Sequence, residues 1–198
     1  MAYATAAELK FELQADNDTF DTFDDLYDTL VTEASEAIDQ YCRRTFVVPG
    51  SATVRYFFPT IGGDELYGLP DIASESDLVI AHDSANNGLY TTTLTAATDY
   101  VAYTNPLGMI TNLVSVNGFG LRASRRPPYK VTARFGWPSV PGPVHRACII
   151  LARRYFTRKD SPSGVLGFGD LGAVKLSVVD PDVQALLGSY RDISRLIG

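Results

Sequence analysis

Apolar positions along the chain change their period twice, and the changes divide it into helical, β and helical stretches. Thr5-Ala-Ala-Glu8 forms a capping box, in which the Thr5 hydroxyl and the Glu8 carboxylate satisfy each other's backbone donors, so a short helix to about Gln14 is expected. Asp16-Asn-Asp-Thr19 interrupts it with side chains that compete for backbone hydrogen bonds. From Asp21 to Arg44 the three-and-four spacing of Phe23, Leu26, Tyr27, Leu30, Ala34, Ala37, Ile38 and Tyr41 predicts the longest helix. Asp21, Asp24, Asp25 and Asp28 load its first turns and Arg43 and Arg44 its last, as the helix dipole favours.

At Thr45 the period changes to short runs rich in Val, Thr, Tyr and Phe. These are punctuated by Pro49-Gly50, Gly62-Gly63, Pro70, Asn86-Asn87-Gly88, Asn105-Pro106 and Asn117-Gly118. Strands are predicted at Thr53–Phe58, Leu78–His82, Tyr90–Leu94, Asp99–Tyr103, Ile110–Val116 and Lys130–Phe135, with Asn117-Gly118 a turn of positive φ. Gly136-Trp-Pro-Ser-Val-Pro-Gly-Pro143 is then a stiff elbow, because each proline fixes φ and restrains the residue before it.

Helical spacing resumes at Pro143, which suits a first helical position. Ala147, Ile150, Leu151 and Tyr155 make its apolar stripe, while Arg146, Arg153, Arg154, Arg158 and Lys159 take other faces and the last turn. Ser161 to Gly172 is a glycine-rich interaction loop carrying Val165, Leu166, Phe168 and Leu171. Ala173–Val179 alternates like a strand. Asp180-Pro181-Asp182 then starts a final helix with Val183, Leu186, Leu187, Tyr190 and Ile193 on one stripe. The expected class is α+β. A small helical bundle (N-terminal helices plus helices near 143–159 and 181–194) occupies 1–45 and 138–198, and an antiparallel β subdomain is inserted at 46–137.

Composition adds limits. A chain of 198 residues, 45% of them apolar, can bury about 70% of its unfolded surface, enough for a real core. No transmembrane stretch or signal peptide is expected. Cys42 and Cys148 fall on predicted helices beside apolar residues, as buried reduced thiols do. The net charge of −6 is unevenly spread. Residues 1–40 hold eleven acids and one base, and residues 121–160 hold ten bases and one acid. Such halves pair within a subunit, or join an acidic face of one subunit to a basic face of the next, head to tail.

Chemistry is sparse. Gly167-Phe-Gly-Asp-Leu-Gly172 spells a dinucleotide fingerprint, but Ser161-Pro-Ser-Gly enters it and a strand-like Val174-Lys-Leu leaves it, where a helix is required. The two histidines, His82 and His145, have no metal-ligand spacing. Cys148 lies three residues from His145, the one candidate nucleophile–base pair. The acids from Asp16 to Asp28 lack the glycine and terminal glutamate of a calcium loop. The basic run Arg122 to Lys130 sits in an acidic protein, a poor sequence-independent DNA binder. No cofactor, metal or catalytic group is expected.

The sequence resembles the head-to-tail connector (adaptor) proteins of long-tailed bacteriophages. The resemblance is carried by Ala37-Ile-Asp-Gln-Tyr-Cys-Arg-Arg-Thr-Phe46, Arg55-Tyr-Phe-Phe58, Asp99-Tyr100, Gly136-Trp-Pro-Ser-Val-Pro141, Val144-His-Arg-Ala-Cys-Ile-Ile-Leu-Ala-Arg-Arg-Tyr155 and the glycine-rich segment before Asp180-Pro-Asp-Val183. It implies a structural virion protein, without enzymatic activity, at the head–tail interface. There it forms a ring of about twelve copies on the portal, extends the DNA channel without binding DNA specifically, and receives a stopper or tail-completion protein. No membrane is involved, and assembly takes place in the host cytoplasm. The family's C-terminal portal docking maps onto Val183, Leu186, Leu187, Tyr190, Leu196 and Ile197. The charge asymmetry places Asp24, Asp25, Asp28, Arg146, Arg153, Arg154 and Arg158 at the subunit interface. The rivals are a tail-completion or terminator protein binding the tail tube, and a small enzyme or ligand-binding domain with a site in the β unit.

Overall fold

The computed structural model describes residues 2–13, 24–119, 126–159, 165–167, 173–175 and 181–192. The fold is α+β, as the periodicity predicts, and the chain divides into two compact units: Met1–Phe46 with Val140–Gly198, and Val47–Ser139.

The first unit is helical. Helix α1 (Ala6–Glu12) begins on the expected capping box, with the Glu8 N–H donating to Thr5 Oγ1 and the Thr5 N–H to the Glu8 carboxylate. Helix α2 spans Asp24–Cys42. It stops before the two arginines predicted for its last turn because Arg43 takes a left-handed φ of 54°, a helix-ending conformation more common for glycine. Helix α3 is Gly142–Lys159 and runs against α2, with Tyr27 stacked on Phe156 at 5.5 Å. Helix α4 (Pro181–Leu187) continues as a 3-10 turn, Gly188–Tyr190, and is shorter than the predicted 181–194. Gly188 follows its last helical residue, and glycine supports a continuing helix poorly. Strands β7 (Val165–Gly167) and β8 (Ala173–Lys175), both in the loop-and-strand region after α3, pair antiparallel.

Tyr27, Val31, Ala34, Ile38 and Cys42 of α2 meet Val144, Ala147, Cys148 and Ala152 of α3 in the core, with Val183 and Leu187 of α4. Tyr3 ties the start of the chain to this core. Its N–H donates to Ser35 Oγ, its hydroxyl donates to the Asp39 carboxylate, and the hydroxyl accepts from the Phe46 N–H. Burial pushes Asp39 above the usual aspartate range, while the Tyr3 hydroxyl draws it back.

The second unit is β. Its main sheet has the order β1 (Thr53–Phe57), β6 (Tyr129–Ala133), β2 (Val79–His82), β3 (Thr92–Thr93), all antiparallel, with a 3-10 turn at Glu75–Asp77. The hairpin β4 (Tyr100–Thr104) and β5 (Ile110–Ser115) joins it through Ile72, which exchanges backbone hydrogen bonds with Ile110 and bridges to Phe135. Every second residue of β6 is buried: Tyr129, Val131 and Ala133. The other face of the sheet is open, and on it Val54, Tyr56 and Val79 remain exposed. Gly118 turns with φ 84°, as Asn117-Gly118 predicts.

Candidate functional site

The candidate nucleophile and base do not meet. His145 Nε2 lies 3.1 Å from a Glu8 carboxylate oxygen. Cys148 Sγ lies 3.4 Å from Ser35 Oγ and 3.7 Å from the Val31 carbonyl, on the core side of α3. Both cysteines are buried free thiols, and burial pushes Cys42 up to about 11 and Cys148 upward too. Such thiols are poor nucleophiles. Around the dinucleotide-like glycines, β7 ends at Gly167 and β8 begins at Ala173. A strand, not a helix N-terminus, follows them. Among the described residues no group of three or more His, Cys, Asp or Glu is placed to hold a metal ion.

The β unit has a small hollow of about 150 Å³ lined by His82, Asp99, Ser115 and Phe119 among others. His82 stacks on Tyr129 at 4.7 Å. The Asp99 carboxylate accepts from the Thr95 N–H at 2.7 Å, and Ser115 donates its hydroxyl to the Asp99 carbonyl. Asp99 and Ser115 therefore use these polar atoms to hold the turn before β4.

The charged residues expected at a subunit interface separate into two sets. Arg146 forms a two-pronged pair with Glu12, both contacts 3.0 Å, and Arg153 reaches the same carboxylate at 3.6 Å. Arg146 holds the Glu12 carboxyl below the usual range. These two arginines thus join α3 to α1 of their own chain, the intramolecular alternative. Asp25 and Asp28 are exposed on α2 and make no ion pair among the described residues; Asp24 lies at its first residue. Arg154 and Arg158 point elsewhere, to the rim of a cleft.

That cleft has a volume of about 230 Å³ and opens between α2, α3 and α4. Ala37, Tyr41, Leu151 and Tyr155 line it and stay half-buried. The sequence assigns all four to core stripes, but the core side of α3 is turned toward Val144, Cys148 and Ala152. The cleft also changes the expected portal contacts. Val183 and Leu187 are buried in their own unit, at its floor. Leu186 is half-buried, and Tyr190 packs edge-on against Phe46 at 5.8 Å. Leu196 and Ile197 lie outside the described residues, as do Phe168 and Leu171 of the glycine-rich loop, whose Val165 and Leu166 are in β7. Arg122 and Arg125 of the basic run also lie outside them.

Comparison with solved structures matches nearly the whole chain. A chain from the neck of an empty GTA particle, computed with C6 symmetry, aligns with a TM-score of 0.57 and 13% identity over 95% of this chain and 89% of its own. A chain from the neck of the native particle, computed with C12 symmetry, aligns with a TM-score of 0.57 and 14% identity over 95% and 88%. A third, from the virion of the native gene transfer agent, gives 0.57 and 15% over 95% and 89%. The chain has the fold of a gene transfer agent neck protein. No protein-family model matches the sequence, and no curated protein sequence matches it significantly.

Proposed function

We propose that this chain is a structural protein of the virion neck that assembles as a ring of about twelve copies on the portal, extending the DNA channel toward a stopper or tail-completion protein. The observation that supports this reading is the shared fold over 95% of the chain with neck components, one of them from a particle computed with C12 symmetry. The protein is read as a non-enzyme carried in the virion, and DNA passes its lumen without specific binding. Portal docking falls to the surface of the C-terminal segment, with Leu186, Tyr190, Leu196 and Ile197 as its apolar contacts, because Val183 and Leu187 serve the helical core. Deleting everything after Val179 would remove two core side chains along with the docking surface. Point changes at Leu186 and Tyr190 are therefore the cleaner test of docking.

The deciding experiment mixes the purified chain with the portal protein of the same particle and images the complexes by electron microscopy. A second ring on one end of the portal, with countable symmetry, is the expected result. Bare portals at high concentrations of both proteins would overturn the adaptor reading in favour of a tail-completion role.

A further inference from the structure

The helical unit carries two surface features of complementary character. One is the cleft between α2, α3 and α4, apolar in its walls, with Arg154 and Arg158 on its rim. The Nε of Arg158 is buried and has no hydrogen-bond partner among the described residues. The other is on α1 and the start of α2. Phe11 is 87% exposed and is the only exposed large apolar side chain of this unit among the described residues. Asp25 and Asp28 stand exposed on the first turns of α2, the helix against which α1 packs.

These features face different ways. On α3, Arg146 and Arg153 share the side that Glu12 of α1 holds. Arg154 and Arg158 lie about 100–140° further round the same helix. On α2, Asp25, Asp28 and Thr32 form one exposed stripe, and Ala37 and Tyr41, which line the cleft, lie roughly half a turn away. The acids of α2 therefore face away from the cleft of their own chain, and Phe11, 87% exposed, is not among the residues that line it. An exposed apolar knob and an acidic helix face, and elsewhere on the same subunit an apolar cleft with a cationic rim, are complementary between copies joined head to tail.

We propose that the cleft receives a second copy of this chain, with Phe11 of one copy seated against Tyr41, Leu151 and Tyr155 of the next and with Asp25 and Asp28 meeting Arg154 and Arg158. The inference rests on the ring reading above and assigns that ring its subunit contact. It accounts for the half-buried state of residues that the sequence places in the core, since the second copy completes their burial. It also accounts for a strongly acidic α2 surface beside a strongly basic α3 in one chain: the charges steer like copies into one polarity and disfavour symmetric pairing.

The test uses the full chain with portal-bearing heads that lack this protein, counting rings by electron microscopy. Free oligomers are measured by native mass spectrometry. Phe11→Ser and Arg158→Glu, both at positions outside the buried core, are expected to raise the concentration needed for half-complete rings about tenfold each while leaving the thermal midpoint unchanged. Combining Arg158→Glu with Asp25→Arg and Asp28→Arg is expected to restore assembly, which a merely damaged fold would not do. Rings that form normally with Phe11→Ser and Arg158→Glu overturn the inference and leave the ring reading standing, as does a paired swap that restores nothing. An unaltered chain that forms no ring on heads or in solution overturns both.

Discussion

Trp137 donates its indole N–H to the buried Asp71 carboxylate at 3.0 Å, across 66 positions of sequence. The Asp71 carbonyl also accepts from the Gly136 N–H at 2.8 Å. One residue thus holds the start of the proline elbow through side chain and backbone together, beside the Ile72 bridge that links the two sheets of the β unit. Asp71→Ala leaves the indole donor buried without this acceptor and is expected to cost about 1–3 kcal/mol. Asp71→Asn, which keeps a carbonyl in place, should cost less. Denaturant midpoints of the two variants decide this, and equal losses would mean that the hydrogen bond is not what Asp71 contributes.

Gly136 has φ 129°, and a Cβ there would lie 2.3 Å from the Val47 carbonyl oxygen. Both the backbone conformation and the backbone neighbour exclude a side chain. Gly136→Ala is expected to destabilise the β unit by about 3 kcal/mol or more, visible as a lower melting temperature or as loss of folded protein. Gly142→Ala, where open space surrounds the site, should be tolerated.

The acid response of the helical unit follows from opposed shifts. Glu8 is held below its ordinary 4.5, first by the Thr5 backbone N–H, and Glu12 is held below it by Arg146. A depressed carboxyl contributes stability that is complete above its ordinary value and is lost as pH falls through its folded one. Asp39, raised above 3.8 mainly by burial, works in the other direction: its contribution is present at low pH and is lost as pH rises through its folded value. Replacing Glu8 and Glu12 by Gln should flatten the fall in melting temperature below pH 4.5. Asp39→Asn should leave that fall in place. An unchanged acid limb in the double variant would show that these carboxyls do not control it.

Leu187 is 1% exposed and its neighbour Leu186 is half-buried. Leu187→Ala removes a core side chain against α2 and α3 and is expected to cost about 2–5 kcal/mol. Leu186→Ala should change stability little. Chemical denaturation separates them, and a neutral Leu187→Ala would return that residue to the docking surface.

Much of this architecture was legible because it is local. The Thr5–Glu8 capping box, the long α2 stripe, the proline-led α3 and the β turns at Asn86 to Gly88 and Asn117-Gly118 depend on residues within a few positions of one another, so spacing alone predicts them. The α+β class follows from the same changes of period. The mismatch between Gly167 to Gly172 and a dinucleotide site was readable in the same way, since a strand follows the glycines.

What only the tertiary structure decided concerns direction and distant partners. Periodicity says that α3 has an apolar side, but α2 and α4 decide that Val144, Cys148 and Ala152 are sealed while Leu151 and Tyr155 are left at a cleft. Charge counting shows an acidic start and a basic later segment, yet it cannot tell that Glu12 takes Arg146 and Arg153 and leaves Arg158 at the rim. Tyr3, two residues before the capping box and outside it, ties the start of the chain to Ser35, Asp39 and Phe46. The end of α2 at Cys42 depends on a left-handed Arg43 and on the Asp192 N–H that binds the Cys42 carbonyl from the far end of the chain. Local sequence determines which side chains share a face. Which face is covered, and by what, is a property of the packed whole, because it depends on chain segments that sequence order keeps more than a hundred residues apart.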